Sequence, residues 1–403
     1  MSRVNRDKSQ PREKQGPLAG ITVIEIATMI TAPLAGVMLA DLGADVIKIE
    51  NPAGGDPFRS FRGGSYSPHF CSYNRNKRSV ALDLRSEKGT LALGRLIESS
   101  DVLLANLRPG ALDRLGYSDE SIVNIHPGLI RCYVSGFGPD GPYADRPAYD
   151  AVAQALSGMS SLFLDAEKPQ LVGPTISDNV TGHFACQGIL AALIEKNRTG
   201  KGKRIDVNML ESSIAFMPDP FGYLTQMGIE SDPILRPRTS QSYVFVCKDG
   251  DALVIHLSSQ QKFWENFKAI VQIPELDADD RLDKHASRID SYERIRDLSA
   301  VVFASKPRQE WLGLLESVDI PFAPVNRIEN VFSDPQVKHL GSFMTLSHPS
   351  AGETTAIRHP VWFDSSREEQ PCAAPPVLGE HTADVMCELG LAGAAAASET
   401  TVY

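Results

Sequence analysis

The sequence predicts an α/β protein in which a parallel sheet of βαβ units is followed by a smaller α+β domain. Three observations lead there. From residue 20 onward, short apolar and β-branched runs alternate with amphipathic helical patterns of roughly 10–15 residues. The strand runs are mostly apolar, as strands covered on both faces must be. Near residue 230 the texture changes to a polar stretch containing proline, followed by a hairpin signal.

Taken in order, "ITVIEIA" reads as a strand, "APLAGVMLADLGA" as a helix and "DVIKIE" as the next strand. Further on, "SEKGTLALGRLIESS" and "SDESIVNIH" read as helices, and "DVLLANL" and "LIRCYVS" as strands. A helix starting after Asp178 carries Ile189, Leu190, Leu193 and Ile194 at helical spacing. It stops at Gly200 within "EKNRTGKGKR", whose basic residues suit the negative end of the helix dipole. "RIDVNML" is another strand, and a helix follows over about 210–228. "SDPILRPRTSQ" reads as a linker and "YVFVCKDGDALVIHL" as two strands around Asp249-Gly250. Helical patterns in "QQKFWENFKAIV", "SYERIRDLSAVVF" and "PRQEWLGLLESV" complete the small domain. "DPQVKHLGSFMTLSHP" and "AIRHPVWF" read as extended, and "PPVLGEHTADVMCELGL" supplies a last helix.

The 403 residues, 42% hydrophobic and 22% charged, have an ordinary globular composition and are enough for two domains with a sizeable core. A formal net charge of −10 argues against nucleic acid or an anionic membrane surface as the main partner. An anionic ligand must therefore be held by local basic groups. The polar start "MSRVNRDKSQPREKQ" reads as a loose leader rather than a secretory signal. The apolar stretch after it is broken by Glu25, Asp41 and Asp45, too often to cross a membrane. Cys71, Cys132, Cys186, Cys247, Cys372 and Cys387 lie far apart with no metal-ligand spacing, which points to free thiols in the cytoplasm and to no metal site.

Gly136, Gly138 and Gly141 in "GFGPDG" match a dinucleotide fingerprint, but Pro139, Pro142 and Pro147 forbid the helix such a fingerprint must open. The segment is predicted to be a loop. No G-x-S-x-G, G-x-x-x-x-G-K-[ST] or H-E-x-x-H is present. Against that background "SDNVTGHF" stands out. Asp178 directly precedes a long helix, where its carboxylate can accept the free N–H groups of the first turn as an N-cap. The same geometry is expected to lower its pKa and keep it ionised, hence nucleophilic. The two readings are compatible.

Several blocks, in order, resemble one family: "PLAGITVIEIATMITAPLAGVMLADLGADVIKIENPAGGDPFR", "YNRNKRSVALDLRSEKG", "NLRPGALDRLGY", "SGFGPDGPYADRPAYDAVAQALSG", "DNVTGHFACQGILAALIEKNRTGKGKRIDV" and "LGEHTADVMCELGL". They are similar to the class III CoA-transferases, which include the 2-methylacyl-CoA racemases. The likeness covers about residues 17–228 and again 375–391. It implies a large Rossmann-like domain built from both ends of the chain, a small middle domain, and an interlocked homodimer. Together with the composition and texture of the chain it gives a division into a flexible leader at 1–16, a CoA-binding domain at 17–228, a small domain at 232–328, a return segment at 329–391 and a disordered tail at 392–403.

The resemblance implies further that Asp178 attacks the thioester of a donor acyl-CoA and that the acyl group passes through a mixed anhydride and an aspartyl-CoA thioester. No tightly bound cofactor is implied; the CoA thioester is the substrate and a carboxylic acid the acceptor. Where the racemase branch has a His-Asp pair, this chain has Tyr149 before Asp150, so transferase is favoured over racemase. Tyr149 matches an aromatic residue beside the reacting centre. By position, CoA contacts fall on Leu82, Arg85, Asn106, Leu107, Arg114 and Leu115, and the thioester end on Met29, Ile30 and Thr31. There are departures. Ile30 replaces the glutamine of formyl-CoA transferases, which argues for an acid less polar than oxalate. "RPRTSQSYVF" lacks the glycines of the family's lid loop, and "GEHT", Gly379 to Thr382, has no assigned role. Two alternatives remain open at this stage: a racemase, and an inactive CoA-binding subunit of a heteromer.

Overall fold

Six strands form one parallel sheet: β1 (Thr22–Ile26), β2 (Asp45–Glu50), β3 (Lys77–Ala81), β4 (Val102–Ala105), β5 (Ile130–Ser135) and β6 (Arg204–Asn208), in the order β3-β2-β1-β4-β5-β6. This computed structural model describes residues 15–391 apart from 63, 65, 166, 259 and 365–371. All but residues 15 and 16 of the expected leader, and the whole expected tail at 392–403, lie outside the described residues. The α/β class read from the sequence is the one observed.

Successive strand side chains point to opposite faces, and both faces are covered. Val23, Val46, Val102, Leu104, Ile130 and Cys132 pack against helices α1 (Thr31–Asp41) and α6 (Ile176–Thr199). Ile24, Ile47, Ile49, Val80 and Leu103 pack against α3 (Glu87–Ser99) and α4 (Asp119–Ile125). Helix α3 shows why its sequence folds there. Ser86 caps it by accepting the Gly89 N–H, and Leu93, Leu96 and Ile97 recur on its buried face. The helices α2 (Pro68–Asn74), α5 (Asp150–Leu156) and α7 (Met209–Phe216) complete this layer structure.

Contact between α1 and α6 is close because of Gly182. A Cβ there would lie 2.7 Å from the Thr31 carbonyl oxygen and 2.9 Å from Leu34 Cβ. Gly182→Ala must push the helices apart, and we expect it to cost about 1–3 kcal/mol, read from the urea midpoint.

The "GEHT" block acquires a role. Strand β3 lies at the sheet edge, and its Ser79 Oγ accepts the Gly379 N–H, while its Ser79 and Ala81 N–H groups donate to His381 Nδ1 and Thr382 Oγ1. The block therefore covers an edge that would otherwise expose unpaired backbone groups.

The chain divides into two compact units, one from the described residues of Met1–Ser160, Gln170–Pro218 and Gly341–Tyr403, the other from those of Ser161–Pro169 and Asp219–Leu340. The second unit holds the expected hairpin, β7 (Ser242–Val246) and β8 (Ala252–His256), extended by β9 (Phe322–Pro324), with Gly250 at φ 82° in the turn. Its core is aromatic: Tyr243, Phe245, Trp264, Phe267, Phe303 and Trp311 are all buried.

Three local expectations change. The helix expected over 210–228 is two helices, α7 and Pro218–Met227, because Pro218 disfavours helical geometry at Met217. The expected linker contains a helix at Leu235–Ser240, where Pro237 falls in the first turn and its missing N–H costs nothing. Within "DPQVKHL", Pro335–Leu340 is helical rather than extended. The "GFGPDG" segment is a loop, as the prolines require, with Gly138 and Gly141 at φ 103° and 91°.

Candidate active site

The strand order reverses between β1 and β4, and in an open parallel sheet the crevice beyond the carboxyl ends at such a reversal is where ligands bind. A cavity of about 540 Å³ lies there. Residues 28–31 after β1, 106–109 after β4, 134–136 at the end of β5, and 144–149 line it, together with Arg114, Asp178 and Met209.

Of the residues singled out in the sequence, Met29, Ile30, Thr31, Asn106, Leu107, Arg114, Tyr149 and Asp178 meet on this wall. Leu82, Arg85 and Leu115 do not. Arg85 has a side chain 80% exposed that pairs with Asp83 at 3.2 Å, and Leu82 and Leu115 pack against the apolar layer under α3. Asn106 is occupied within the protein. Its Oδ1 accepts the Thr28 N–H at 3.0 Å, and its Nδ2 donates to the Thr28 carbonyl at 2.8 Å and to Thr31 Oγ1 at 3.1 Å. It thereby ties the segment after β1 to the end of β4.

Asp178 differs from its expected state in two ways. Helix α6 begins at Ile176, so Asp178 sits in the first turn, and Thr175 holds the N-cap position without a side-chain bond. The capping carboxylate comes from another helix: Asp150 Oδ1 accepts the Asp178 N–H at 3.1 Å, and its Oδ2 accepts from Gln154 Nε2. Nor is the Asp178 pKa lowered. Burial, and secondarily the charge of Asp150, push it up to about 7. Desolvation outweighs the helix N-terminus because no described cation pairs with this carboxylate. Asp150→Asn keeps the acceptor but removes the like charge, so the pH midpoint of activity should move downward; a pH–rate profile of that variant checks it.

The sequence reading gave several neighbours no role in the site. Asp150 lay in "PAYDAV" and Arg108 in "NLRPG", both quoted blocks. Arg108 and Arg146 stand on the cavity wall beside Arg114, and none of the three forms an ion pair with a described residue. Tyr73 hydrogen-bonds the Asn179 side chain and lies in the field of Asp178 and Asp150; burial raises its pKa.

A buried ionic cluster adjoins the wall. Lys48 pairs with Glu25 at 2.9 Å and Asp56 at 3.0 Å, Lys77 with Glu25 at 2.7 Å, and Arg59 with Glu50 at 2.7 Å. All six are almost completely buried. Burial alone would pull Lys48 down, but Glu25, Asp56 and Glu50 hold it above the ordinary lysine value. For Lys77 burial prevails, and its pKa falls to about 8. Burial would raise Glu50, yet Arg59 and Lys48 bring it to about 2. A lysine inside an apolar parallel strand must find a partner, and "DVIKIE" carried that signal.

A profile of CoA-transferase family III matches residues 18–382. The chain belongs to CoA-transferase family III. It is 33% identical over 383 residues to mouse succinyl-CoA:glutarate CoA-transferase, covering 93% of this chain and 86% of that protein. It is 31% identical to the acetyl-CoA:oxalate CoA-transferase of Acetobacter aceti, covering 82% of this chain and 86% of that one. Among solved structures, a CaiB/BaiF family protein from Brucella suis has a TM-score of 0.80 at 30% identity, covering 93% of this chain and 99% of that chain. Rv3272 from Mycobacterium tuberculosis has a TM-score of 0.81 at 29% identity, covering 92% and 99%. The transferase moves CoA from an acyl-CoA to a carboxylic acid. Among the described residues of the transferase no helix is long and apolar enough to cross a membrane, and no cluster of His, Cys, Asp and Glu could hold a metal.

Proposed function

We propose that Asp178 is the nucleophile of this transfer. The observation that supports the reading is its half-buried carboxylate, paired with no cation among the described residues, on the wall of the cavity where the sheet order reverses. The carboxylate attacks the donor thioester carbonyl, the C–S bond breaks, and CoA leaves as thiolate with the acyl group on Asp178 as a mixed anhydride. The thiolate attacks the aspartyl carbonyl, releasing the donor acid and leaving an aspartyl-CoA thioester. The acceptor carboxylate attacks that thioester in turn, and the returning thiolate takes the acceptor acyl group and frees Asp178. Energy of the thioester is retained at each step if water is kept from the anhydride.

Met29, Ile30 and Thr31 line the thioester end in this reading, and Tyr149 stands beside the reacting centre. Arg114 holds a CoA phosphate, since guanidinium offers a fork to phosphate. Arg85, with Leu82 and Leu115, lies off the cavity and is assigned to the nucleotide end of CoA. The acceptor we assign is a dicarboxylic acid. Relatives named for glutarate and oxalate support this, as do Arg108 and Arg146 on the cavity wall, which form no ion pair with a described residue. Apolar Met29 and Ile30 favour one with several methylenes. The active form is assigned as a cytoplasmic homodimer. Six free cysteines suit a reducing compartment, and exposed Phe221, Leu224 and Met227 on the helix Pro218–Met227 suit an interface that light scattering would reveal.

The test is covalent. Incubation with a panel of acyl-CoAs and hydroxylamine, followed by mass analysis of the peptide spanning 171–200, should give a hydroxamate on Asp178. A turning-over enzyme with an unmodified Asp178 peptide sinks the assignment.

A further inference from the structure

Met29 has φ 68°, in the left-handed region that an apolar, unbranched side chain rarely enters. Other non-glycine residues at positive φ have ordinary reasons: Gln241 and Gln272 end helices, and Asn76 and Asp364 are types that tolerate it. Met29 ends nothing. It stands between β1 and α1, on the cavity wall, and something must hold it there.

The holder is the buried ionic cluster. Both oxygens of Asp56 accept the Met29 N–H, at 3.2 and 3.1 Å, and Oδ1 also accepts the Phe58 N–H at 3.0 Å. Lys48 Nζ pairs with Asp56 Oδ2 and donates to the Ala27 carbonyl at 2.7 Å. The two sides of the cluster thus grip backbone atoms on either side of Thr28. Phe58, placed by the same carboxylate, packs with Phe70 and Ile30, and Met29 rests on that group.

We propose that Asp56 and Lys48 are positioning residues for CoA transfer, a buried pair that clamps the backbone from Ala27 to Met29 and so fixes the Met29–Thr31 part of the cavity wall that Asp178 also lines. This rests on the reading of Asp178 as nucleophile. A thioester must lie within about 3–3.5 Å of an attacking carboxylate, and a wall displaced by about 1 Å can cost about a hundredfold in rate while remote contacts still bind CoA.

The experiment is a cycle of Asp56→Asn and Met29→Asn, read as kcat, KM for acyl-CoA and the urea midpoint. An amide has one acceptor oxygen: placed where Oδ1 accepts the Met29 and Phe58 N–H groups, it leaves its NH2 against the Lys48 ammonium and the Met29 N–H, so one half of the clamp is lost. In the parent, Asp56→Asn should lower kcat about 10–100-fold with KM changed less than about twofold. Asparagine enters the left-handed region readily, so in the Met29→Asn background the same change should cost only a few-fold. Equal losses in both backgrounds, or a lower urea midpoint with kcat unchanged, overturn the proposal. Should Asp56→Asn not fold, Lys48→Arg keeps the charge but not the geometry of the Ala27 bond, and carries the same cycle with the same criteria. Absence of any Asp178 adduct in the parent would refute the nucleophile reading and leave this cycle standing as the test of the clamp.

Discussion

If Asp178 is the nucleophile proposed above, Asp178→Asn should remove CoA transfer, and it should stabilise the folded protein at pH 8. On the proposed mechanism every intermediate is carried by this carboxylate, so its loss should lower kcat by about 10⁴-fold or more. The stability gain follows from the raised pKa. Below about pH 4 the carboxyl is protonated in both folded and unfolded chains and the pKa shift contributes nothing. Between there and about 7 the folded protein keeps a proton that the unfolded chain has released, so stability falls as pH rises, and above 7 the full cost remains. The amide does not titrate. Discounted for partial exposure, the variant should exceed the parent by about 1–3 kcal/mol at pH 8, a difference that disappears near pH 4. Urea unfolding at the two pH values measures it. The parent's kcat/KM should rise with pH to a plateau above about 7, because the proposed attack needs the ionised carboxylate. A stability difference that does not change with pH would contradict the raised pKa.

Glu25→Ala should be the most damaging single change in the sheet, at about 3–5 kcal/mol. Glu25 is fully buried and pairs with both Lys48 and Lys77, so its removal leaves one excess positive charge inside the protein. Truncation also leaves a gap: a Cβ on Gly36 would lie 1.9 Å from Glu25 Oε2, so the carboxylate fills the space that glycine leaves. Adding Lys77→Met to Glu25→Ala removes the surplus charge and should recover part of the loss. Thermal and urea unfolding of the single and double variants decide this, and a double variant less stable than the single would show that packing, not charge, governs the site.

The strands and helices that carry the site could be read from periodicity, since apolar runs and caps are local signals. "DVLLANL", "LIRCYVS" and the helix ending at Gly200 lie where they were expected. Eight of the singled-out residues meet on one cavity because they follow strand ends or begin helices, positions the motif blocks preserve. Residues joined only through space were harder. Nothing in "GGDPFR" announces that Asp56 accepts the Met29 N–H, 27 residues earlier in the chain. Leu82, Arg85 and Leu115 show the converse: they match the blocks but do not reach the cavity.

By itself the sequence determined the α/β class, the position of Asp178 at a helix start and the family, because these depend on local patterns and ordered blocks. Tertiary structure decided the state of that aspartate. A helix start predicts a lowered pKa, whereas burial beside Asp150 raises it, and burial is set by distant segments packing together. It also decided that charges interrupting apolar strands are neutralised by one another, since a buried ion is tolerable only when its partner arrives from another strand.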